Sequence, residues 1–147
     1  MTKLGFVIVN YNDYPMTKRL LENIKDYKCL SKIVVVDNHS TDDSVIKLQK
    51  HENKKIKILE AKDNKGYAAG LNLGAKYLIK ELGKCNIIFS NSDIIIHKEE
   101  DLKKLNSDIG KHSIAIVGPT VVENRKLNRG WMLPTIEDEI KFNLPLI

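Results

Sequence analysis

Residues 31–38, SKIVVVDN, combine an uninterrupted apolar run with a carboxylate and an amide at its carboxyl end. A run of this kind is typical of a strand that is buried on both faces. Similar apolar segments lie at residues 3–10, 86–91 and 113–118, and a shorter, alternating one at 55–59. Between them lie segments with helical periodicity, at residues 42–52, 66–82 and 98–109 and at Met16, Leu20, Leu21, Ile24 and Tyr27. The alternation predicts an α/β fold, with a mostly parallel sheet covered by helices on both faces.

The periodic segments also predict which side of each helix is buried. In the second helix this side comprises Val45, Ile46, Leu48 and Gln49, and in the third Tyr67, Leu71, Ala75, Leu78 and Leu82. Pro15 suits the first turn of the first helix, where a missing N–H costs no hydrogen bond. After Pro119 the character changes, and a hairpin is predicted around Glu123 and Asn124.

Length and composition indicate a single globular domain. The chain has 147 residues, 42% hydrophobic and 29% charged, and no apolar run approaches the roughly 20 residues that cross a bilayer. The N-terminus lacks the features of a signal peptide. The net charge is +5, but basic residues are dispersed without a dense stripe, so we expect no nucleic-acid partner. Cys29 and Cys85 match no metal-binding pattern and predict reduced thiols in a cytoplasmic protein.

Polar residues follow the carboxyl end of each predicted strand. They are residues 10–13 after the first strand, 37–43 after the second, 63–67 after the third and 91–93 after the fourth. In a doubly wound sheet these ends converge on one edge. Asp37 closes a buried strand, and its carboxylate suits the N–H of a base or a sugar hydroxyl. The nearby acidic residues have a local interpretation: Ser40 and Asp43 form a capping box, Asp42 complements the helix dipole, and Asp13 opens a turn.

The glycines at 66, 70 and 74 match neither the dinucleotide-binding nor the Walker A pattern. Gly66 allows a ligand to approach the backbone, and free N–H groups at the start of the next helix attract phosphate. Close helix packing explains Gly70 and Gly74, whereas Asn72 is equally consistent with a solvated face and with a site. His39 stands without a nucleophile or metal-ligand partner in the sequence, and the scattered histidines do not predict zinc.

Five segments together resemble a known family. In chain order they are VIVNYND, VVVDNHSTDDS, NKGYAAGLNLGAKYL, IIFSNSDIII and AIVGPTVV, and the similarity covers residues 4 to about 135. They resemble the donor-binding half of family 2 glycosyltransferases, most of all the rhamnosyltransferase-like branch. The resemblance implies the GT-A fold and inverting, metal-dependent transfer of a sugar from a UDP- or dTDP-sugar. The implied acceptor is a saccharide or lipid-linked saccharide, in bacterial surface polysaccharide synthesis.

The resemblance also implies roles for individual residues. The implied nucleotide-binding residues are Asn10, Asn12, Asp37, Asn38, Ser40, Asn64, Gly66, Asn72 and Asn91, with Asp37 on the pyrimidine base. Residues 91–93 resemble the DxD motif, in which Asp93 would bind a Mg²⁺ or Mn²⁺ ion on the donor diphosphate. Asn91 departs from that motif and leaves one metal carboxylate instead of two. A partly hydrated hard cation with oxygen ligands suits a diphosphate leaving group.

The C-terminal part bears on how complete the enzyme is. We expect residues 1–119 to form the donor-binding domain and 120–147 to begin an acceptor-side region that continues in the family. The chain is then either shortened or naturally short, and the alternative function is a catalytically incomplete nucleotide-binding or interaction module. The catalytic base is unknown, because residues 137–139 suit the acidic first turn of a helix.

Apolar residues near the C-terminus predict a surface that a missing half would cover. They are Trp131, Met132, Leu133, Phe142, Leu144, Leu146 and Ile147. We expect this surface to be covered by homodimerisation or to be disordered. The predicted location is the cytoplasm, with the inner face of the membrane as an alternative.

Overall fold

The computed structural model describes residues 2–109, 116–117, 121–123 and 126–128. Its main sheet contains β1 (Lys3–Asn10), β2 (Lys32–Asp37), β3 (Ile56–Glu60) and β4 (Cys85–Ser90). The strand order is β3-β2-β1-β4, and every pairing in it is parallel. The helices that connect and follow these strands are α1 (Tyr14–Ile24), α2 (Ser44–Gln49), α3 (Tyr67–Leu82) and α4 (Glu99–Asp108). The predicted α/β fold with a parallel sheet is confirmed.

Two apolar cores lie on opposite faces of the sheet, which explains why β1 and β2 are apolar without interruption. Phe6 and Val7 are neighbours in β1, and both are fully buried. Phe6 belongs to the core that includes Leu20 and Leu21 of α1, Leu48 of α2 and Leu102 of α4. Val7 belongs to the second core, with Val34, Val36 and Leu78 of α3. Helices therefore cover both faces, as predicted.

Small residues decide which side of α3 meets the sheet. A Cβ atom at Gly74 would lie 2.5 Å from Val7 Cγ1, and one at Gly70 would lie 3.1 Å from both Val9 methyl groups. The packing interpretation of these two glycines is confirmed. The predicted apolar face of α3 was partly wrong, because the buried residues are Gly70, Gly74 and Leu78, whereas Tyr67 is 45% exposed.

The predicted face of α2 was also partly wrong. Ser44 and Leu48, one turn apart, are its buried residues, whereas Ile46 is 64% exposed and Gln49 is exposed. A helix of six residues places little more than one turn against the core. Tyr27 lies beyond the end of α1, yet its side chain still packs against the core of α1.

β4 lies at one end of the described sheet, so its burial is lower than the continuous apolar run predicts. Phe89 is half exposed, and the preceding residues of β4 are only partly buried. The predicted fifth strand, 113–118, lies mostly outside the described residues. Its two described members, Ile116 and Val117, are in neither a helix nor a strand.

The predicted hairpin after Pro119 is confirmed. β5 (Val121–Glu123) and β6 (Lys126–Asn128) pair in antiparallel orientation, with Glu123 opposite Lys126. The apolar residues from Trp131 onward and the acidic residues 137–139 lie outside the described residues. No helix in the described part of the chain combines the length and the apolarity needed to cross a membrane.

Candidate functional site

A buried hydrogen-bond network joins the carboxyl ends of β1 and β2. Asn10 and Asp37 are paired in register at the last positions of their strands, and both are buried. Asn10 Nδ2 donates to Asp37 Oδ1 at 2.7 Å. Ser40 donates from its hydroxyl to Oδ1 at 2.6 Å and from its backbone N–H to Oδ2 at 2.8 Å. These bonds satisfy most of the acceptor capacity of the buried carboxylate.

The same network fixes the two loops that follow these strands. The Ser40 hydroxyl oxygen accepts from the backbone N–H of Asn12 at 2.9 Å, and Thr41 N–H donates to Asn12 Oδ1 at 2.8 Å. Asn12 and His39 adopt positive φ values of 52° and 64°. Asn and His tolerate this conformation better than most residues with a side chain. The loops after β1 and β2 are therefore held together before any ligand arrives.

The predicted capping box is wrong, because the Ser40 hydroxyl does not cap α2. It donates to Asp37, three residues earlier, and accepts from Asn10 at the end of β1 and from Asn12 just after it. Asp43 is the N-cap residue of α2 but makes no side-chain capping bond, and its carboxylate pairs with Lys47 Nζ at 2.7 Å. Asp42 does keep a local role, since its Oδ1 accepts from Ser44 N–H at 2.9 Å. Asp13 is the N-cap of α1 and accepts from Met16 N–H at 3.4 Å, which agrees with a role in opening the helix.

Asn38 links the end of β2 to the start of α3. Its Nδ2 donates to Asn64 Oδ1 at 2.8 Å and to the Gly66 carbonyl at 3.3 Å. Asn64 Oδ1 also accepts from Gly66 N–H at 3.0 Å. Asn38 is 4% exposed, and its Oδ1 atom has no hydrogen-bond partner within the described residues. An unpaired buried acceptor beside a loop is an arrangement that a ligand donor would satisfy.

The amino end of α3 is open to a ligand. Gly66 has φ +88°, and a Cβ placed there would meet no atom within 4 Å. No side chain caps the helix. The first N–H groups of an uncapped helix point outward and carry partial positive charge, so they attract anions such as phosphate.

Asp93 lies beyond the end of β4 and is exposed to solvent. The pKa of Tyr67, the first residue of α3, is raised mainly by burial and additionally by the negative charge of Asp93. The Asp93 carboxylate and the start of α3 therefore lie close enough to interact. Within the described residues no group of three His, Cys, Asp or Glu side chains is arranged to hold a metal. A lone exposed carboxylate fits Mg²⁺ or Mn²⁺ that keeps most of its other ligands from water and a diphosphate.

The remaining predicted residues stand apart from the network. Asn72 is exposed on α3, roughly opposite to Gly70 and Gly74 at about 100° per residue. Asn91 is exposed, and its carbonyl oxygen accepts from the Ser90 hydroxyl at 2.8 Å. Their side chains make no hydrogen bond to the Asp37 network in the described part of the chain. Their predicted roles in nucleotide binding stay predictions.

Two threonines of the site were missed from the sequence. Thr17 of α1 is fully buried, and its hydroxyl donates to Asn10 Oδ1 at 2.8 Å. Its position three residues before Leu20, on the apolar side of the helix, was an available signal. Thr41 bonds to Asn12, and a turn-rich sequence gives no comparable signal for that contact.

Comparison with known proteins yields one family and a set of solved structures. A sequence profile described as Glycosyl transferase family 2 matches residues 6–145. A curated relative, the low-salt glycan biosynthesis hexosyltransferase Agl10 of Haloferax volcanii, is 29% identical over 119 residues, which are 81% of this chain and 36% of that protein.

Two solved structures with this fold were determined with ligands. A mannosyltransferase from Pyrobaculum calidifontis, in complex with GDP-Man and Mn²⁺, has a TM-score of 0.59 and 18% identity, covering 71% of this chain and 31% of that one. Residues 1–349 of S. aureus TarS, in complex with UDP, have a TM-score of 0.58 and 24% identity, covering 72% and 32%. The chain thus spans about a third of the length of these proteins.

Proposed function

Because this chain belongs to glycosyl transferase family 2, we propose that it binds a nucleoside-diphosphate sugar at the carboxyl edge of its sheet, for transfer to a glycan acceptor. The observation that carries the proposal is the convergence of the Asp37 network, the open amino end of α3 and Asp93 on that edge. Structures with the same fold support it, since one was solved with GDP-Man and Mn²⁺ and another with UDP. We propose UDP or dTDP as the nucleotide of this chain.

Because Asp37 is buried, we propose that it mainly organises the nucleoside pocket. Its carboxylate holds Asn10 and Ser40, which leaves about one acceptor position free, on Oδ2. Asp37 is fully buried, so a base N–H would reach that position only after a local movement of the protein. Asn12 and Asn64 are exposed and offer amide groups to the base and ribose without such a movement.

The diphosphate would lie between the start of α3 and Asp93. The free N–H groups of α3 suit its oxygens, and Gly66 leaves room for it. Asp93 would hold the Mg²⁺ or Mn²⁺ ion, with Asn91 beside it. When bound, the ion would offset the charge that grows on the leaving diphosphate, worth about 4 kcal/mol for a unit charge about 4 Å away at an effective dielectric of about 20.

We assign donor binding to residues 1–119 and propose that 120–147 begin the acceptor side, for a saccharide or lipid-linked saccharide. Inversion at the anomeric centre would require a base to deprotonate the acceptor hydroxyl, and that base has no candidate among the described residues. A second candidate function is nucleotide binding without transfer by these 147 residues. It is favoured by Asn91, which leaves residues 91–93 with one carboxylate where the DxD motif has two.

Titration calorimetry with UDP, dTDP and GDP, each with and without Mn²⁺, tests donor binding. We expect UDP or dTDP to bind and Mn²⁺ to raise its affinity at least tenfold, about 1.4 kcal/mol. Asp93→Ala should abolish the Mn²⁺ effect. Asp101→Ala, which removes an exposed carboxylate in the first turn of α4, should preserve it.

The possible outcomes separate the parts of the proposal. Failure of every nucleotide to bind would contradict the donor site. Nucleotide binding with a Mn²⁺ effect that survives Asp93→Ala would contradict the metal site only. Release of UDP or dTDP from the corresponding sugar nucleotide in the presence of saccharide acceptors would exclude the second candidate function.

A further inference from the structure

The segment between β4 and α4, residues 91–98, is hydrogen-bonded to α1 and to the turn that follows α1. Arg19 Nη2 donates to the Asp93 carbonyl at 3.2 Å. Asn23 bonds to both backbone groups of Ile96: its Nδ2 donates to the carbonyl at 3.0 Å, and its Oδ1 accepts from the N–H at 2.9 Å. The Tyr27 hydroxyl donates to the same Ile96 carbonyl at 2.8 Å. We call Arg19, Asn23 and Tyr27 the α1 clamp.

The spacing of the α1 clamp matches the path of the segment that it holds. Its members are four residues apart, so they lie on one side of α1 and of the turn that follows it. The segment continues into α4, where Glu99 Oε1 accepts from Cys29 N–H at 2.7 Å, just beyond Tyr27. Contacts at positions 93, 96 and 99 therefore follow α1 and its turn in the same direction.

The position of Asp93 depends on contacts made by neighbouring residues, because Asp93 itself makes few contacts. Asp93 is exposed, and its neighbours Ile94 and Ile95 are 38% and 50% exposed. In the described part of the chain its carboxylate has no hydrogen bond or ion pair. The first deeply buried residue after it is Ile96, at 9% exposure, and Asn23 holds the backbone of that residue.

We infer that Asn23 is a positioning residue for Asp93: by pairing with both backbone groups of Ile96, it fixes the loop that presents the Asp93 carboxylate to the metal-bound diphosphate. This inference rests on the proposed function. Residues that orient a metal ligand typically change metal affinity by about 10- to 100-fold when they are removed. A side chain that bonds to an N–H and a C=O of one residue restrains the loop in the way that a neighbouring strand would.

The test compares Asn23→Ala with wild type in the 147-residue chain by two measurements. Nuclear magnetic resonance should show faster amide exchange at Ile96, because its N–H loses its acceptor. Calorimetry should show UDP affinity without metal within about twofold of wild type, and a Mn²⁺-dependent gain reduced about tenfold. Tyr27→Phe removes a single bond to Ile96 and should give a smaller loss of the Mn²⁺-dependent gain.

Asn106→Ala is the matched control, because it removes an amide with a comparable pair of hydrogen bonds away from the carboxyl edge. Asn106 donates to the Thr2 carbonyl at 3.0 Å and accepts from Asn86 Nδ2 at 2.7 Å. It should leave the Mn²⁺ effect unchanged even where it lowers stability.

The inference is overturned if Asn23→Ala speeds exchange at Ile96 while the Mn²⁺ effect stays at its wild-type value. It is also overturned if exchange at Ile96 does not change. Loss of the Mn²⁺ effect in Asp93→Ala but not in Asn23→Ala would refute positioning and leave the proposed function standing. Absence of any Mn²⁺ effect in wild type would instead refute the metal site, and the inference with it.

Discussion

Asp37 is a residue whose removal should cost stability as well as ligand binding. Asp37→Ala removes the acceptor of a buried bond from the Asn10 amide and of two half-buried bonds from the hydroxyl and N–H of Ser40. Buried donors left unpaired cost about 1–3 kcal/mol each at most, so we expect a loss of about 3 kcal/mol. Urea unfolding of the variant should show a correspondingly lower midpoint.

Two further variants sharpen this prediction. Asp37→Asn keeps the shape, but its NH₂ group must face a donor in either orientation, because both carboxylate oxygens already accept hydrogen bonds. It should therefore be destabilising as well. Asp63→Ala removes an exposed carboxylate paired with Lys65 at 3.3 Å and should cost under about 0.5 kcal/mol. A wild-type midpoint for Asp37→Ala would show that the network contributes little to folding.

Cys29 should be a slowly reacting thiol. Its pKa is raised from the ordinary value of 9.0 to about 11, mainly by burial and additionally by the negative charge of Glu99. A raised pKa means less thiolate at a given pH, so at pH 8 alkylation should be about 100-fold slower than for an ordinary thiol. Iodoacetamide labelling of Cys85→Ser, followed by mass spectrometry, isolates Cys29. Glu99→Gln should speed the reaction, and a wild-type rate like that of free cysteine would contradict the prediction.

At the scale of an element, the close packing of α3 against the sheet depends on Gly74. Gly→Ala in a helix normally stabilises it by about 0.5–1 kcal/mol. Here the added Cβ would lie 2.5 Å from Val7 Cγ1 and 3.2 Å from Val36 Cγ2, so we expect Gly74→Ala to destabilise the protein by about 1–3 kcal/mol. Thermal unfolding monitored by circular dichroism measures the effect.

Rescue and comparison variants show whether crowding is the cause. Val7→Ala removes the methyl groups that the new Cβ would meet, so the double variant Gly74→Ala with Val7→Ala should lose less stability than the sum of the two single variants. Gly70→Ala, with 3.1 Å approaches to Val9, should be milder than Gly74→Ala. Additive losses in the double variant would place the cost elsewhere than in the contact between α3 and β1.

Features set by local pattern were predictable from the sequence, whereas choices among distant partners were not. The apolar runs predicted β1 to β4, and the four-residue spacing of Gly70 and Gly74 predicted their packing. Ser40 was predicted to form a capping box with Asp43, three residues after it. In the structure Ser40 donates to Asp37, three residues before it, and accepts from Asn10 and Asn12, which are 30 and 28 positions away. The two distant contacts had no signal in the local pattern.

The candidate site divides in the same way. Convergence of the strand ends followed from the parallel sheet, so the grouping of Asn10, Asp37 and Asn38 was predictable. The contact of Asn23 with Ile96 joins residues 73 positions apart, and neither residue type predicts a specific partner. Such contacts depend on how α1 lies against the segment after β4, which a single sequence does not reveal.

At the scale of the molecule, the described part of the chain places its apolar cores within the first 109 residues. Both apolar cores consist of residues between Leu4 and Leu105. The described C-terminal strands, β5 and β6, pair with each other and not with the main sheet. On the basis of these described cores, we predict that folding and donor binding depend little on residues after Pro119.

A chain shortened to residues 1–119 should fold and bind UDP or dTDP with an affinity within about threefold of that of the 147-residue chain. A threefold change in affinity corresponds to about 0.6 kcal/mol of binding free energy. A chain that ends at His97 is the control, because it lacks α4 and with it Leu102, which is 3% exposed in the core. Losing that side chain alone should cost about 2–5 kcal/mol, so this shorter chain should unfold at lower urea or fail to fold. Calorimetry measures nucleotide binding, and urea unfolding measures the stability of the three chains.

If residues 1–119 fold but no longer bind a nucleotide that the longer chain binds, the donor site extends past Pro119 and the proposed domain boundary is wrong. If they do not fold, the C-terminal residues complete the core instead of opening an acceptor side.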